Sequence, residues 1–298
     1  MDKNVLLGIT GGIAAYKVAG VASALNKKGY EVNVVMTESA TEFISPLTFR
    51  TITQNPVETN LFTPPQKFDV KHISLTEKAD IILLAPATAN FISKIAGGIG
   101  DDLLSTLILA SNSPVLIAPS MNVNMFNNSI IQDNINYLKE KDYEFIDPES
   151  GYLACGYSGK GRLPEPEILV EAVINKLTPD IFKGKKILIT AGPTREPLDS
   201  VRFLSNYSSG KMGYAIARAA SYAGGDVTLI SGPTSLTPPY NVDFIEIETA
   251  LEMKKEIQKI AADQNMIIMS AAVSDFRPET RYDKKIKKNK LKRQISLD

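Results

Sequence analysis

The segment VLLGITGGIAAYK, residues 5–17, joins an apolar run to a glycine turn and then to the start of a helical pattern. Gly11 and Gly12 allow a backbone turn that brings N–H groups and a helix N-terminus against an anion. The turn differs from GxGxxG, and the next strand, which ends Met36-Thr37-Glu38-Ser39, is not closed by an acid that could bind a ribose. Thr37 and Ser39 offer hydroxyls there that suit a phosphate, so a mononucleotide such as FMN fits better than NAD. A tight turn without any ligand is the equal alternative.

Apolar, β-branched runs recur along the first half of the chain and alternate with helical spacing. Runs this continuous are typical of parallel strands that are covered on both faces. The pattern predicts a doubly wound α/β domain that binds its ligand at the carboxyl ends of the strands. The predicted strands are 5–9, 32–36, 81–85 and 115–118, and the predicted helices are 13–28 and 103–110.

A second α/β series follows a polar stretch at residues 177–186, so we place a domain boundary near residue 180 and predict domains 1–180 and 181–298. After Phe276 the pattern gives way to charged residues, and we expect this second, Rossmann-like domain to be incomplete at its C-terminus. Its predicted strands are 187–190, 227–231, 244–247 and 266–270, and its predicted helices are 212–223 and 250–262.

Composition excludes several classes of protein. Apolar residues make up 44% of the 298 residues and charged residues 22%, which is ordinary for a globular chain. No apolar run approaches the roughly 20 residues that span a bilayer, and the N-terminus lacks the pattern of a signal peptide, so we expect a cytoplasmic protein without a membrane partner. A single cysteine and a single histidine exclude intrachain disulfides and clustered Cys/His zinc sites.

The charge balance hides a basic cluster near the end of the chain. The protein has 33 basic and 33 acidic residues, but seven of the ten residues at 284–293 are basic. A nucleic-acid-binding protein would spread its positive charge over a folded face, so we expect no nucleic-acid partner. A solvated tail and a site for a polyphosphate both remain open for these lysines.

Small polar loops follow the third and fourth predicted strands. Thr88 and Asn90 lie after the third strand and Asn122 after the fourth, where they would line a shallow slot. Helix capping is the plainer interpretation of each loop.

The single histidine and the single cysteine are also candidates. His72 precedes a predicted helix, where a structural histidine is the commoner case. Cys155 lies in a glycine-rich flap at 151–162, which makes it a candidate acid or nucleophile.

The second domain has two loops of interest. The segment 203–213 fails the P-loop pattern because Met212 replaces the Ser or Thr that would hold Mg²⁺, although Ser208, Ser209 and Gly210 could still bind a phosphate or cap a helix. Asp275 follows the last predicted strand and could accept a hydrogen bond from a base or a ribose.

Taken together, these motifs resemble known families. In this order, GITGGIAAYK, HISL, ADIILLAPATAN, APSMNVNM and GYLACGYSGKGR resemble the flavin-dependent cysteine decarboxylases. ITAGPTREPLD, LSNYSSGKMG, SAAVSDFRP and KIKK resemble the CTP-dependent phosphopantothenate-cysteine ligases. Their fusion resembles the bacterial bifunctional decarboxylase/ligase family of coenzyme A biosynthesis.

The resemblance implies a role for each candidate residue. His72 would be the base of the decarboxylase, Asn122 would bind the substrate carboxylate, and Cys155 would be the proton donor. Asn206 would act on an acyl-cytidylate, and Lys285 would be both catalytic and CTP-binding. The implied FMN-binding residues are Gly11, Gly12, Ile13, Thr37, Ser39, Ala87, Thr88, Asn90 and Met121, and the implied CTP-contacting residues are Ser270, Ala271, Asp275 and Lys285.

The implied chemistry is a two-step route. CTP-dependent ligation joins 4′-phosphopantothenate to cysteine, with Mg²⁺ offsetting the triphosphate charge through unidentified ligands. FMN-dependent decarboxylation then converts 4′-phosphopantothenoylcysteine to 4′-phosphopantetheine. The resemblance also implies a homo-oligomer, a trimer or dodecamer through the first domain and a dimer through the second. Because family ligase domains continue beyond the KIKK motif, a decarboxylase with an inactive ligase remnant is the main alternative; a regulatory flavoprotein is another.

Overall fold

A computed structural model of the chain describes residues 3–61, 71–152, 158–286 and 296–297. The chain folds into two compact units, Met1–Leu177 and Thr178–Asp298. Each unit is an α/β structure built on a parallel sheet, as the sequence predicts. Within the described ranges, no helix combines the length and the apolar character needed to cross a bilayer.

The first unit contains a parallel sheet and, apart from it, a short hairpin. The sheet strands are β1 (Asn4–Ile9), β2 (Glu31–Met36), β3 (Val57–Glu58), β4 (Ile81–Ala87), β5 (Val115–Pro119) and β6 (Glu144–Phe145), and the antiparallel hairpin strands are β7 (Glu149–Tyr152) and β8 (Ser158–Arg162). The spatial order is β3-β2-β1-β4-β5-β6. Strand order therefore reverses between β1 and β4, and a doubly wound fold binds its ligand at such a reversal.

Helices connect these strands. Those described in the first unit are α1 (Ala15–Lys27), α2 (Glu38–Thr41), α3 (Pro46–Thr53), α4 (Lys71–Lys78), α5 (Ala89–Ala96), α6 (Leu103–Ala110), α7 (Val123–Phe126), α8 (Ser129–Glu140) and α9 (Pro166–Leu177). The predicted helix at 13–28 begins two residues later than expected, because the glycine turn extends to Ala14. The predicted helix at 103–110 has the observed bounds of α6.

The core of the first unit explains the continuous apolar runs. Strand β4 is buried along its whole length, because it lies between β1 and β5 and is covered by helices. Ile82 and Leu84 of β4 pack in one cluster with Phe91 and Ile92 of α5 and Leu104 of α6. This rigid centre fixes the positions of the loops that follow β1, β4 and β5.

The second unit repeats the reversal on a smaller scale. Its elements are β9 (Lys186–Ala191), β10 (Arg195–Pro197), β11 (Phe203–Ser205), α10 (Lys211–Tyr222), β12 (Asp226–Ser231), β13 (Asp243–Glu246), α11 (Ala250–Ile260), a 3₁₀ turn (Ala261–Asp263) and β14 (Met266–Met269). Strand order in the parallel sheet is β13-β12-β9-β14, and β10 and β11 form a separate antiparallel pair. The reversal lies between β9 and β14.

Strand β14 differs from the buried strand that its apolar sequence suggests. Met266 and Ile267 are each 42% exposed, and Met269 is 61% exposed. Within the described residues, β9 is the one strand that pairs with β14, so β14 is an edge. An apolar run alone therefore identified the strand but not its burial.

Candidate functional sites

A cavity of about 440 Å³ lies beyond the carboxyl ends of β1, β4 and β5. This volume falls within the range of roughly 300–1,000 Å³ that is usual for cofactor and small-molecule sites. It lies at the strand-order reversal, where the fold is expected to bind its ligand. The lining residues are Gly11, Gly12, Ile13, Ser39, Thr88, Ala89, Asn90, Ser120, Met121, Asn122, Met125 and Gly161.

The glycine turn packs directly against the loop after β2. A Cβ atom built on Gly11 would lie 2.6 Å from the Cβ of Ser39 and 2.9 Å from its carbonyl carbon, so only glycine allows this approach. Within the described part of the chain, the N–H groups of Gly11, Gly12 and Ile13 have no protein acceptor. These N–H groups stand just before α1, where the helix dipole also favours an anion.

Thr10 holds the glycine turn against the loop after β4. Its side chain is buried, and its Oγ1 donates to the carbonyl of Pro86 at 2.6 Å. The same Oγ1 accepts from the backbone N–H of Thr88 at 3.1 Å. Thr88 in turn caps α5 by accepting from the N–H of Phe91 at 3.3 Å. One buried hydroxyl therefore connects two walls of the cavity.

We predict that Thr10→Val lowers the free energy of unfolding of the first unit by about 1–3 kcal/mol, because the Thr88 N–H and the Pro86 carbonyl each lose a partner. We expect weaker flavin retention as well. Thr51→Val is the matched control, since the exposed Thr51 donates its Oγ1–H to the Leu47 carbonyl within α3. Urea unfolding with flavin release as a second readout checks both variants; equal stabilities would contradict the bridging role.

The loop after β5 is held from two sides. The N–H of Ser120 donates to the carbonyl of Ala87 at 2.9 Å, and the N–H of Met121 donates to the carbonyl of Gly161 in β8 at 3.0 Å. Asn122 then begins α7, because its Oδ1 accepts from the N–H of Asn124 at 2.8 Å. The capping alternative is therefore observed for Asn122, as it is for Thr88, and both residues also line the cavity.

The hairpin β7–β8 reaches the cavity through Gly161, whose φ of +150° favours glycine. Its base is held by Glu165, whose Oε1 lies 2.9 Å from Lys17 Nζ and also contacts Arg162. The ammonium of Lys17 holds the pKa of Glu165 below its usual range. The sequence predicted a flap here, and the structure shows that its described part is a β-hairpin.

The predicted FMN-binding residues lie around one site. Gly11, Gly12, Ile13, Ser39, Thr88, Asn90 and Met121 line the cavity. Thr37 and Ala87 lie outside its lining: Thr37 Oγ1 is 3.1 Å from Ser39 Oγ, and Ala87 is buried at the end of β4. Ala89, Ser120, Met125 and Gly161 also line the cavity; sequence reasoning identified the motifs that contain them but did not single out these residues.

The side chains of two predicted decarboxylase residues, Cys155 and His72, lie outside the described structure. Cys155 lies outside the described residues. His72 falls in the first turn of α4 rather than before a helix, and its side chain is also outside the described part of the structure. Their roles therefore stay predictions.

In the second unit, the end of β9 and the loop that follows it are hydrogen-bonded to the loop after β14. Thr190 Oγ1 accepts from the N–H groups of Ser270 and Ala271, at 3.1 and 3.2 Å. The N–H of Ser274 donates to Thr194 Oγ1 at 2.9 Å. Ser270 Oγ is buried and has no hydrogen-bond partner among the described residues. Such an orphaned hydroxyl at a sheet reversal is consistent with a polar ligand.

Asn206 lies against the same loops. Its Nδ2 donates to the carbonyl of Val273 at 2.9 Å, two residues before the exposed Asp275. Of the three residues that the sequence offered as a phosphate site or a helix cap, Ser208, Ser209 and Gly210, neither serine caps α10 with its side chain. The N-cap is instead Gly210, with a φ of +74°, and its N–H donates to Ser208 Oγ at 3.3 Å. A Cβ on Gly210 would lie 2.8 Å from Thr234, which explains the glycine.

Lys285 is exposed, and the residue that follows it, Ile286, contacts the ion pair of Asp199 and Arg202. The carboxylate of Asp199 is fully buried and binds the guanidinium of Arg202. That guanidinium holds the pKa of Asp199 well below its ordinary value of 3.8. Because the folded-state pKa is depressed, the stabilising contribution of this carboxylate is present above pH 3.8 and is lost only as the pH falls through the folded pKa.

The predicted Mg²⁺ requirement has no preformed protein site in the described part of the chain. There, no three or more His, Cys, Asp or Glu side chains cluster as metal ligands would. A magnesium ion bound through substrate phosphates would need few protein ligands.

Two known protein families match this chain. The family described as Flavoprotein matches residues 1–178, and the DNA/pantothenate metabolism flavoprotein C-terminal domain matches residues 182–298. The coenzyme A biosynthesis bifunctional protein CoaBC of Vibrio cholerae is 48% identical over 288 residues, covering 97% of this chain and 72% of that protein. The CoaBC protein of Bacillus subtilis is 45% identical, covering 99% of this chain and 75% of that protein.

Solved structures resemble the first unit. A PPC decarboxylase mutant complexed with pantothenoylaminoethenethiol superposes with a TM-score of 0.53 and 31% identity, covering 58% of this chain and 97% of that one. The FMN binding protein AtHal3 superposes with a TM-score of 0.51 and 32% identity, covering 58% of this chain and 95% of that one.

Proposed function

This chain belongs to the family of bifunctional coenzyme A biosynthesis proteins, and from that membership we propose that residues 1–180 decarboxylate 4′-phosphopantothenoylcysteine and residues 181–298 ligate 4′-phosphopantothenate to cysteine with CTP. The chain is an enzyme of coenzyme A biosynthesis, with decarboxylase and ligase domains, and its first domain is an FMN flavoprotein. The specific substrates, the site residues and the nucleotide are the proposal.

The cavity at the β1–β4 reversal is the observation that carries the decarboxylase half. The N–H groups before α1 and the hydroxyl of Ser39 fit the phosphate of FMN, and the small residues Gly12 and Ala89 leave room for a flat ring. When bound, FMN supplies reversible hydride acceptance, which turns the cysteine end of the substrate into a form that can lose CO₂. The residues of this chain then have to bind the carboxylate and move protons.

Asn122 is suited to bind the substrate carboxylate. Its Oδ1 accepts from the N–H of Asn124, so the other end of the amide, Nδ2, is the end that can donate to a carboxylate. In this proposal His72 removes a proton from the substrate during its oxidation, and Cys155 returns a proton to carbon after CO₂ has left. Protonation alone gives a thioaldehyde, so the saturated thiol also requires return of the hydride that FMN would have accepted.

The joined loops after β9 and β14 support the ligase half. Ser270 Oγ, Ala271 and Asp275 lie on one loop that could follow the base and ribose of CTP, while Lys285 would offset triphosphate charge together with Mg²⁺. Asn206, whose Nδ2 contacts this loop, would act on the acyl-cytidylate before cysteine attacks it.

Self-association belongs to the same proposal. Ile13 lines the cavity and is 61% exposed. Tyr16, in the first turn of α1, is 59% exposed. A second copy that covered these side chains would shield the flavin. We propose trimers or dodecamers through the first domain and dimers through the second.

One mass-spectrometric assay tests both halves. Purified protein receives unlabelled phosphopantothenate, cysteine, CTP and Mg²⁺ together with isotope-labelled phosphopantothenoylcysteine. We expect labelled and unlabelled phosphopantetheine. Labelled product alone would leave a decarboxylase with an inactive ligase half, and absence of both products would contradict the proposed function.

A further inference from the structure

The start of the basic cluster and the residues just before it are attached to a turn between β10 and β11. The N–H of Tyr282 donates to the carbonyl of Leu198 at 3.0 Å. The N–H of Ile286 donates to Asp199 Oδ2 at 3.1 Å, and the carbonyl of Ile286 accepts from Arg202 Nη2 at 3.3 Å. Both polar backbone groups of the residue next to Lys285 are therefore held by one ion pair.

Both oxygens of the Asp199 carboxylate accept hydrogen bonds in this arrangement. Its Oδ1 accepts from the N–H groups of Val201 and Arg202, each at 2.9 Å. Its Oδ2 accepts from Ile286 and from Arg202 Nε, the latter at 3.0 Å. The side chain is 0% exposed, whereas that of Arg202 is 41% exposed. A buried charge that accepts this many hydrogen bonds is held in one orientation.

The chain is also held beyond the cluster. The N–H of Glu279 donates to the carbonyl of Ser296 at 3.1 Å, and Pro278 and Leu297 form an antiparallel bridge. Pro278 and Glu279 directly follow the 270–277 loop. Backbone contacts thus hold the chain on both sides of 287–295, which contradicts the solvated-tail alternative for its described flanks.

We propose that Asp199 is a positioning residue for nucleotide binding: through Arg202 and the N–H of Ile286, it sets the backbone from which Lys285 reaches the triphosphate. This inference rests on the proposed ligase function, because that function supplies the nucleotide. Asp199 itself touches no substrate. Its effect on CTP passes through the position of Lys285.

Asp199→Asn tests the arrangement with little change in size. An amide NH₂ can only donate. In one orientation it would face the N–H groups of Val201 and Arg202, and in the other it would face the Ile286 N–H and the guanidinium, so in both cases a donor meets donors. We expect the amides of residues 281–286 to exchange with deuterium about tenfold faster in the nucleotide-free full chain. We also expect the KM for CTP to rise about tenfold, with a smaller change in kcat and unchanged decarboxylation.

Glu256→Gln is the matched control, because Glu256 and Lys259 form another i,i+3 ion pair in this unit, at 2.6 Å on the surface of α11. It should change neither readout. Arg202→Lys serves if the first variant does not fold, since lysine cannot bind Asp199 and the Ile286 carbonyl with the same fork. Unchanged exchange at 281–286 would overturn the inference, as would faster exchange with an unaltered KM for CTP. A wild-type chain that does not bind CTP would instead contradict the ligase function, and the nucleotide role with it.

Discussion

Asn122→Asp should lower kcat/KM for decarboxylation by about 1,000-fold, which corresponds to about 4 kcal/mol of transition-state stabilisation. Asn122 would donate its amide N–H to the substrate carboxylate in the proposed site. The aspartate loses that donor and places a negative charge against another, and such a like-charge contact costs several kcal/mol. Product formation by mass spectrometry at several substrate concentrations measures the effect.

The substitution keeps the helix cap. Aspartate is as good an N-cap as asparagine, so the N–H of Asn124 keeps its acceptor and α7 keeps its start. Asn128→Asp provides the matched control: Asn128 caps α8 in the same manner, accepting from the N–H of Ile130 at 3.0 Å, but does not line the cavity. It should retain full activity. If Asn122→Asp stayed within threefold of wild type, Asn122 would not bind the carboxylate.

Gly11→Ala should weaken FMN binding by about 100-fold, so that the variant purifies with little flavin. The new methyl group would lie 2.6 Å from the Cβ of Ser39 and 2.9 Å from a backbone atom of that residue. Contacts this short cannot persist, and moving the loop after β2 displaces both the Ser39 hydroxyl and the N–H groups before α1. Overpacking of this kind costs about 1–3 kcal/mol, and 100-fold in affinity is about 2.7 kcal/mol.

Gly20→Ala is the control for an added methyl group in the same part of the chain. Gly20 lies within α1, and its Cβ would be 3.5 Å from Pro166, an ordinary contact. Alanine in a helix interior is favoured over glycine by about 0.5–1 kcal/mol, so this variant should keep its flavin and gain slightly in stability. Flavin absorbance per chain and titration of the apoprotein with FMN compare the two. A Gly11→Ala protein with wild-type flavin content would show that the turn does not form the cofactor site.

The fold could largely be predicted because its signals are local. Buried parallel strands produce unbroken apolar runs, and the runs at 5–9 and 115–118 correspond to β1 and β5 within a residue or two. Short edge strands were missed: β3 and β6 contain two residues each, too few for any period to emerge. The exposure of β14 was also beyond the sequence, because composition does not say whether a strand has neighbours on both sides.

In the candidate sites, too, local features could be predicted and long-range contacts could not. Glycine turns and polar loops after strands are visible in sequence, and most of the predicted FMN-binding residues line one cavity. Gly161 was missed because its contribution depends on a hairpin that returns to Met121. Asp199 was missed because nothing in TREPLD indicates that its carboxylate binds the N–H of Ile286, 87 residues later.

The sequence by itself determined the main strands of both parallel sheets, four of the helices, the two-domain plan and the family, since each depends on residue types at short spacing. Tertiary structure decided which loops meet: the turn at Gly11 against Ser39, the β5 loop against Gly161, and the turn at Asp199 against Ile286. The physical reason is that such contacts depend on strand order and on the burial of single polar groups. Neither strand order nor the burial of a single polar group produces a periodic pattern or a fixed spacing along the sequence.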